Sequence, residues 1–136
     1  MMSKQLRDIE SREDIDRLMW SFYERMMVDP VIGFIFTHYA KVDLKIHLPI
    51  IADFWETILF QKPVYKRGPK AMEAHYDLHK QIPLRKQHFT RWLHLFHKTL
   101  DENYSGTKAT LAKERSSSIA KLMQTRIGQI GDCTEL

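Results

Sequence analysis

The hydrophobic periodicity of this chain is helical over nearly its whole length. Apolar residues recur three and four positions apart in one segment after another, as at Ile15, Leu18 and Phe22, which places them on one face of a helix. Five glycines and five prolines punctuate the sequence, and no alternating strand pattern runs between them. The sequence therefore predicts an all-α protein.

Caps and helix breakers divide the pattern into five helices. Ser11 or Asp14 can cap the first helix and Asp43 the second, because short polar side chains bond the free backbone N–H groups there. Pro49 is expected to interrupt the second helix, whose main part should begin near residues 47–49. The expected helices run from residue 11 or 14 to 28, from 43 to 60, through 72–79, from 85 to 103, and from 108 to 127.

The length and composition predict one domain, residues 1–136, with a core of about 11–127 and frayed ends. No apolar run is long enough to span a bilayer, and polar residues 1–10 do not resemble a secretory signal. Cys133 is a lone cysteine, which favours a cytoplasmic location. The net charge of +4 suits an anionic ligand, but no face concentrates it as nucleic-acid binding requires.

Three polar side chains stand at positions that otherwise belong to apolar helix faces: Tyr23, His47 and His75. Buried polar groups cost free energy unless they are satisfied. Each has an ordinary explanation, a core tyrosine bonded to a carbonyl or a surface histidine. A flat cofactor that carries a metal would satisfy all three at once.

His75 is a candidate ligand for heme iron, because a neutral imidazole is the common proximal ligand. His79 lies one turn further on the same face and is an alternative ligand. The two could also bind zinc together, although the sequence offers no obvious third ligand and no metalloprotease motif. No Cys-x-x-Cys-His motif occurs, so a heme would be held non-covalently.

Aromatic residues recur at helical spacing along the same segments. They are either ordinary core or the lining of a slot for a planar macrocycle. Trp92 is either a packing residue or a hydrogen-bond donor through its indole N–H. The other members of the set are Phe22, Phe36, Phe54, Trp55, Phe89 and Phe96.

Four motifs together resemble the group III truncated hemoglobins over residues 15–104. They are Asp29-Pro-Val-Ile-Gly-Phe-Ile-Phe36, His47-Leu-Pro-Ile-Ile-Ala-Asp-Phe54-Trp55, Ala74-His75-Tyr-Asp-Leu-His79 and Gln87-His-Phe-Thr-Arg-Trp92-Leu-His-Leu-Phe96.

The resemblance implies a globin-like, two-over-two helical sandwich around one heme b. It assigns His75 as the proximal ligand, because the His-x-Asp-Leu pattern matches there and not at His79. It assigns Tyr23, His47 and Trp92 to the distal side, where they would stabilise a gas ligand, and leaves open whether His47 binds iron or gates the pocket. The propionate partners are undecided, with Lys66, Arg67 and Arg85 as candidates.

The implied function is binding of a diatomic gas such as O2, NO or CO at the iron. Several donors around the ligand favour redox chemistry on oxygen, nitric oxide or peroxide over bulk oxygen transport. Dioxygenase-like or peroxidase-like activity stays open, and a reductase or other electron donor is an expected partner. Nucleic acid and membrane are not expected as partners.

Two other classes are alternatives. A non-heme metal-binding helical bundle would carry Glu-x-x-His pairs and inward carboxylates, and the sequence contains no such pair. A small basic helical binding module would concentrate its cations on one helix face, whereas here they are scattered.

Overall fold

The computed structural model of the chain describes residues 5–66 and 70–131. Arg67 and Cys133, both named above, lie outside the described residues. No strand occurs in the described part, which confirms the all-helical prediction. The helices are α1 (Arg12–Met27), α2 (Leu44–Phe60), α3 (Lys70–Gln81), α4 (Lys86–Asn103) and α5 (Thr107–Gly131), with a short π-helical segment at Ile35–Tyr39.

The start of α1 is fixed by Ser11, whose hydroxyl accepts a hydrogen bond from the backbone N–H of Asp14 at 3.3 Å. The carboxylate of Asp14 is buried and accepts two hydrogen bonds from the Arg7 guanidinium, at 2.6 and 2.8 Å. These bonds hold the pKa of Asp14 well below its usual value. Of the two predicted caps, Ser11 therefore caps the helix, and Asp14 ties it to the preceding segment.

Pro49 does not interrupt α2, so that expectation is wrong. The helix is capped by Asp43, as predicted, and runs through the proline. A proline inside a helix removes one hydrogen bond, to the carbonyl of the residue four positions earlier. That residue, Lys45, is exposed, so water can reach its carbonyl and the helix continues.

The first turn of α5 is capped from far away in the chain. The carboxylate of Asp8 accepts hydrogen bonds from the backbone N–H groups of Lys108 and Ala109, at 2.8 and 2.9 Å. Gly106, which precedes the helix, has a φ of +144°, a conformation that favours glycine. A Cβ built there would lie 2.6 Å from the Asp8 side chain. Both the backbone conformation and the lack of space for a side chain therefore favour glycine at this position.

The core forms where α1 packs against α2 and α4, and where α4 packs against α5. Ile9, which precedes α1, is also buried in this core. No helix of residues 5–66 and 70–131 combines the length and the apolar character needed to cross a bilayer.

Two ion-pair groups fasten the helices around this core. The Arg12 guanidinium bridges α1 to α2 by bonds to Asp53 and Glu56, at 2.8 and 2.7 Å. Arg91 on α4 bonds the buried carboxylate of Asp29 at 2.6 Å, just after the end of α1. These contacts fix the positions of the helices that surround the cavity described next.

Candidate functional site

A cavity of about 660 Å³ lies between the helices and is lined by residues of all five and of the π-helical segment. Most of its wall is apolar, with Ile32 and Ile35 before α2, Ile51 on α2, Leu78 on α3 and Ile119 on α5 among the lining residues. A volume of this size is within the range of small-molecule and cofactor sites.

Nine of the eleven predicted site residues line this cavity. Phe96 and His79 do not. The nine are Phe22, Tyr23, Phe36, His47, Phe54, Trp55, His75, Phe89 and Trp92. The predicted residues therefore lie on four helices and the π-helical segment, and the fold brings them together around one cavity.

Tyr23 on α1 and His47 on α2 are joined by a hydrogen bond of 2.8 Å between the hydroxyl oxygen and Nε2. The donor depends on the tautomer of the imidazole. Burial raises the pKa of Tyr23 well above its usual value, so the phenol keeps its proton at neutral pH. The cavity wall thus carries a protonated hydroxyl whose single proton is either given to His47 or available to a ligand.

An aromatic cluster continues from Tyr23 towards α4. The ring of Phe22 makes edge contacts with those of Tyr23 and Trp92, at centroid distances of 5.4 and 5.8 Å. Phe96 lies behind them and is fully buried. Its ring stacks on Trp92 at 5.6 Å and on Trp55 at 5.2 Å, so it supports the cavity wall without reaching the cavity.

The two candidate metal ligands on α3 are in different surroundings. His75 lines the cavity together with Ala74 and Leu78. His79 does not, and its Nδ1 accepts a hydrogen bond of 2.9 Å from the backbone N–H of Leu84. His79 therefore closes the turn between α3 and α4.

Several cavity residues were not singled out in the sequence. Tyr39, Lys41 and Tyr65 line the cavity from irregular or π-helical backbone, where periodicity gives no signal. His88 accepts a hydrogen bond from the Arg85 backbone N–H through Nδ1 at 2.9 Å and also lines the cavity. Burial and the charge of Arg85 lower the pKa of His88.

These residues suit a planar, largely apolar macrocycle with a central metal ion. The apolar and aromatic walls match the faces of such a ring, and one of the imidazoles on the wall can bind its metal. Among residues 5–66 and 70–131, no three His, Cys, Asp or Glu side chains converge as a metal cluster.

Known proteins resemble the chain in both sequence and structure. No family model matches it. The group 3 truncated hemoglobin ctb of Campylobacter jejuni subsp. jejuni serotype O:2 (strain ATCC 700819 / NCTC 11168) is 28% identical over 124 residues, which are 89% of this chain and 94% of that protein.

The crystal structure of the group III truncated hemoglobin from Campylobacter jejuni matches the fold with a TM-score of 0.76. The match covers 90% of this chain and 95% of that one, at 28% identity. Both comparisons extend over almost the whole of each chain. The resemblance inferred from the motifs is thereby confirmed, and the chain is a relative of the group III truncated hemoglobins with their two-over-two helical fold.

Proposed function

We propose that the chain is a heme protein that binds one heme b non-covalently in this cavity, with His75 as the axial ligand of the iron. The observation that carries the proposal is the convergence of nine predicted residues on one apolar cavity with an imidazole on its wall. The relatedness to truncated hemoglobins also supports it. Bound heme would supply an iron atom able to take a diatomic gas such as O2, NO or CO.

The polar side chains of the cavity would hold and orient that gas ligand. Tyr23 keeps its proton because burial raises its pKa, and it can donate when His47 does not accept the proton. The indole N–H of Trp92 can only donate. Several donors around one ligand retain it strongly, which favours redox chemistry on oxygen, nitric oxide or peroxide over oxygen delivery. Such chemistry needs an electron donor, so we include a reductase among the partners.

The choice of His75 over His79 rests on their surroundings. His75 lines the cavity, whereas one ring nitrogen of His79 accepts the Leu84 backbone N–H. A ligand for the central metal must reach the cavity, and His79 instead has a structural role in the turn.

The test is a visible absorption spectrum of the purified protein, followed by a hemin titration. We expect a Soret band at one heme per chain. His75→Gly should lose the native axial ligation and regain it when free imidazole is added. The matched control is His79→Ala, which should bind heme with an unchanged spectrum while losing stability, because the Leu84 N–H loses its acceptor.

Other results of these experiments would contradict the heme proposal or the choice of His75 as the axial ligand. A folded, colourless protein that refuses hemin would overturn the proposal. Bound metal without porphyrin would favour a non-heme metal bundle, and a salt-dependent nucleic-acid affinity without pigment would favour a basic binding module. A wild-type spectrum in His75→Gly, together with a changed one in His79→Ala, would transfer the axial role to His79.

A further inference from the structure

The cavity wall carries few full charges, and their placement limits how an anionic cofactor can be held. Among the described lining residues, Lys41 is the one lysine or arginine, and Asp43 and Asp77 are the carboxylates. Lys66 and Arg85, proposed from the sequence as propionate partners, do not line the cavity. A heme brings two propionate groups, which need compensation at the cavity edge since charges are costly to remove from water unpaired.

Lys41 is exposed although it borders the cavity, so it lies at the cavity mouth. Its side chain makes no ion pair with any residue in 5–66 or 70–131. The nearest carboxylate along the chain, Asp43, accepts the backbone N–H of Lys45 at 3.0 Å as the cap of α2. The ammonium of Lys41 is therefore available to an anion at the mouth.

The backbone at Lys41 has a φ of +50°. A side chain makes this left-handed conformation costly, and such strain concentrates at functional sites. The conformation is held by the chain on both sides, where Ala40 N–H bonds the Ile35 carbonyl at 2.8 Å and Val42 N–H bonds the Phe36 carbonyl at 3.0 Å. Glycine would adopt the same turn more easily, so the lysine side chain is retained at some cost to stability.

We infer that Lys41 is the electrostatic anchor for a heme propionate at the cavity mouth. This inference rests on the proposed heme function and adds the residue that orients and retains the ring. An ammonium paired with a propionate in a partly exposed position slows the departure of heme without touching the iron.

The test measures the rate of hemin transfer from the holoprotein to an excess of a high-affinity acceptor such as apomyoglobin. Lys41→Gln should raise the rate roughly two- to fivefold at low salt, the size of an exposed ion pair, and Lys41→Arg should restore it. The matched control is Lys45→Gln, an exposed lysine on α2 that does not line the cavity. It should leave the rate unchanged.

A second probe isolates the propionate. With hemin dimethyl ester, which has no propionate charge, wild type and Lys41→Gln should release the ring at equal rates. Lys41→Gly separates backbone strain from charge: its apoprotein should unfold at higher denaturant than wild type, while its holoprotein releases hemin faster.

Each result has a defined meaning. Equal hemin rates in wild type and Lys41→Gln would overturn the anchor role and leave the heme proposal intact. A rate difference that persists with the dimethyl ester would also overturn it, because the effect would then be steric. Failure of the wild-type chain to bind hemin at all would remove the proposed function and this inference together.

Discussion

The hydroxyl oxygen of Tyr23 and Nε2 of His47 lie 2.8 Å apart, and this hydrogen bond joins α1 to α2 at the cavity wall. The Tyr23 hydroxyl has one proton to donate, and the neutral imidazole of His47 has two tautomers, which differ in whether Nε2 accepts or donates. If Nε2 accepts, the tyrosine proton is committed to the histidine. If Nε2 carries a proton and donates, the tyrosine is free to donate to a ligand. In the proposed heme protein, the pair would therefore set how many donors a gas ligand meets.

Tyr23→Phe removes the hydroxyl and keeps the ring. A hydrogen bond to a charged acceptor contributes about 1.5–3 kcal/mol, so oxygen release from the ferrous holoprotein should become about tenfold to hundredfold faster. Stopped-flow displacement of oxygen by carbon monoxide measures the rate. An unchanged rate would mean that Tyr23 is not the main donor.

His47→Leu removes the competing acceptor and leaves Tyr23 in place. The tyrosine proton then becomes available to the ligand, so oxygen release should slow. In a double-mutant cycle with Tyr23→Phe, the two residues should couple by about 0.5–3 kcal/mol, as contacting groups do. Faster release in His47→Leu would show instead that the histidine itself donates to the ligand.

Asp29→Asn tests the ion pair with Arg91. The Arg91 guanidinium beside Asp29 holds the pKa of that carboxyl below its usual range, so its contribution to stability is present above the unfolded-state pKa of about 3.9 and is lost as the pH falls through the folded-state value. The variant should be less stable at pH 7, and its deficit should shrink below about pH 4. Urea unfolding across this range measures it.

The side-chain oxygen of asparagine can still accept the Val31 and Ile32 N–H groups that Asp29 accepts at 3.0 and 3.1 Å. The change therefore isolates the charge. A deficit that grows in acid would contradict the assignment.

Phe96→Ala should lower the free energy of unfolding of the apoprotein by about 3–5 kcal/mol, the usual cost of truncating a buried aromatic ring. Phe96 is fully buried between Trp55 and Trp92, so truncation removes the support behind the cavity wall. Phe96→Leu retains part of the volume and should cost less. Equal effects of the two changes would contradict this, because the loss would then come from the ring contacts and not from the volume of the side chain.

Asp8→Ala should destabilise the protein by about 0.5–2 kcal/mol, the range for loss of a helix cap, since two N–H groups of α5 lose their acceptor. Asp8→Asn keeps one of the two acceptor oxygens and should cost less than Asp8→Ala. Hydrogen exchange should locate the loss at residues 108 and 109. Unchanged protection there would rule out Asp8 as the cap.

The sequence pattern was sufficient to predict the helices and nine of the residues that line the cavity. His47, Phe54 and Trp55 follow one face of α2, and that face borders the cavity. Trp92 and Phe96 show the limit of this signal. They are one turn apart on the same face of α4, yet of the two only Trp92 lines the cavity. Periodicity predicts which face of a helix is buried, but not which of its residues border a cavity and which lie in the core behind it.

Other features of the site and the fold depend on contacts that a local sequence pattern does not predict. His75 and His79 lie on the same face of α3, and the structure distinguishes them because His75 lines the cavity whereas His79 accepts the Leu84 N–H. Lys41 and Tyr65 line the cavity from irregular backbone, and Asp8 acts on a helix 100 residues away. Local sequence rules cannot predict contacts at such separations.

The long-range cap also bears on biosynthesis. Asp8 is translated about a hundred residues before Lys108 and Ala109, whose N–H groups it accepts. Helix α5 thus cannot acquire its N-terminal cap from Asp8 until about a hundred residues after Asp8 have been made. In a nascent chain of this sequence, the segment before α1 would therefore close over the start of α5 only after the four intervening helices have been synthesised.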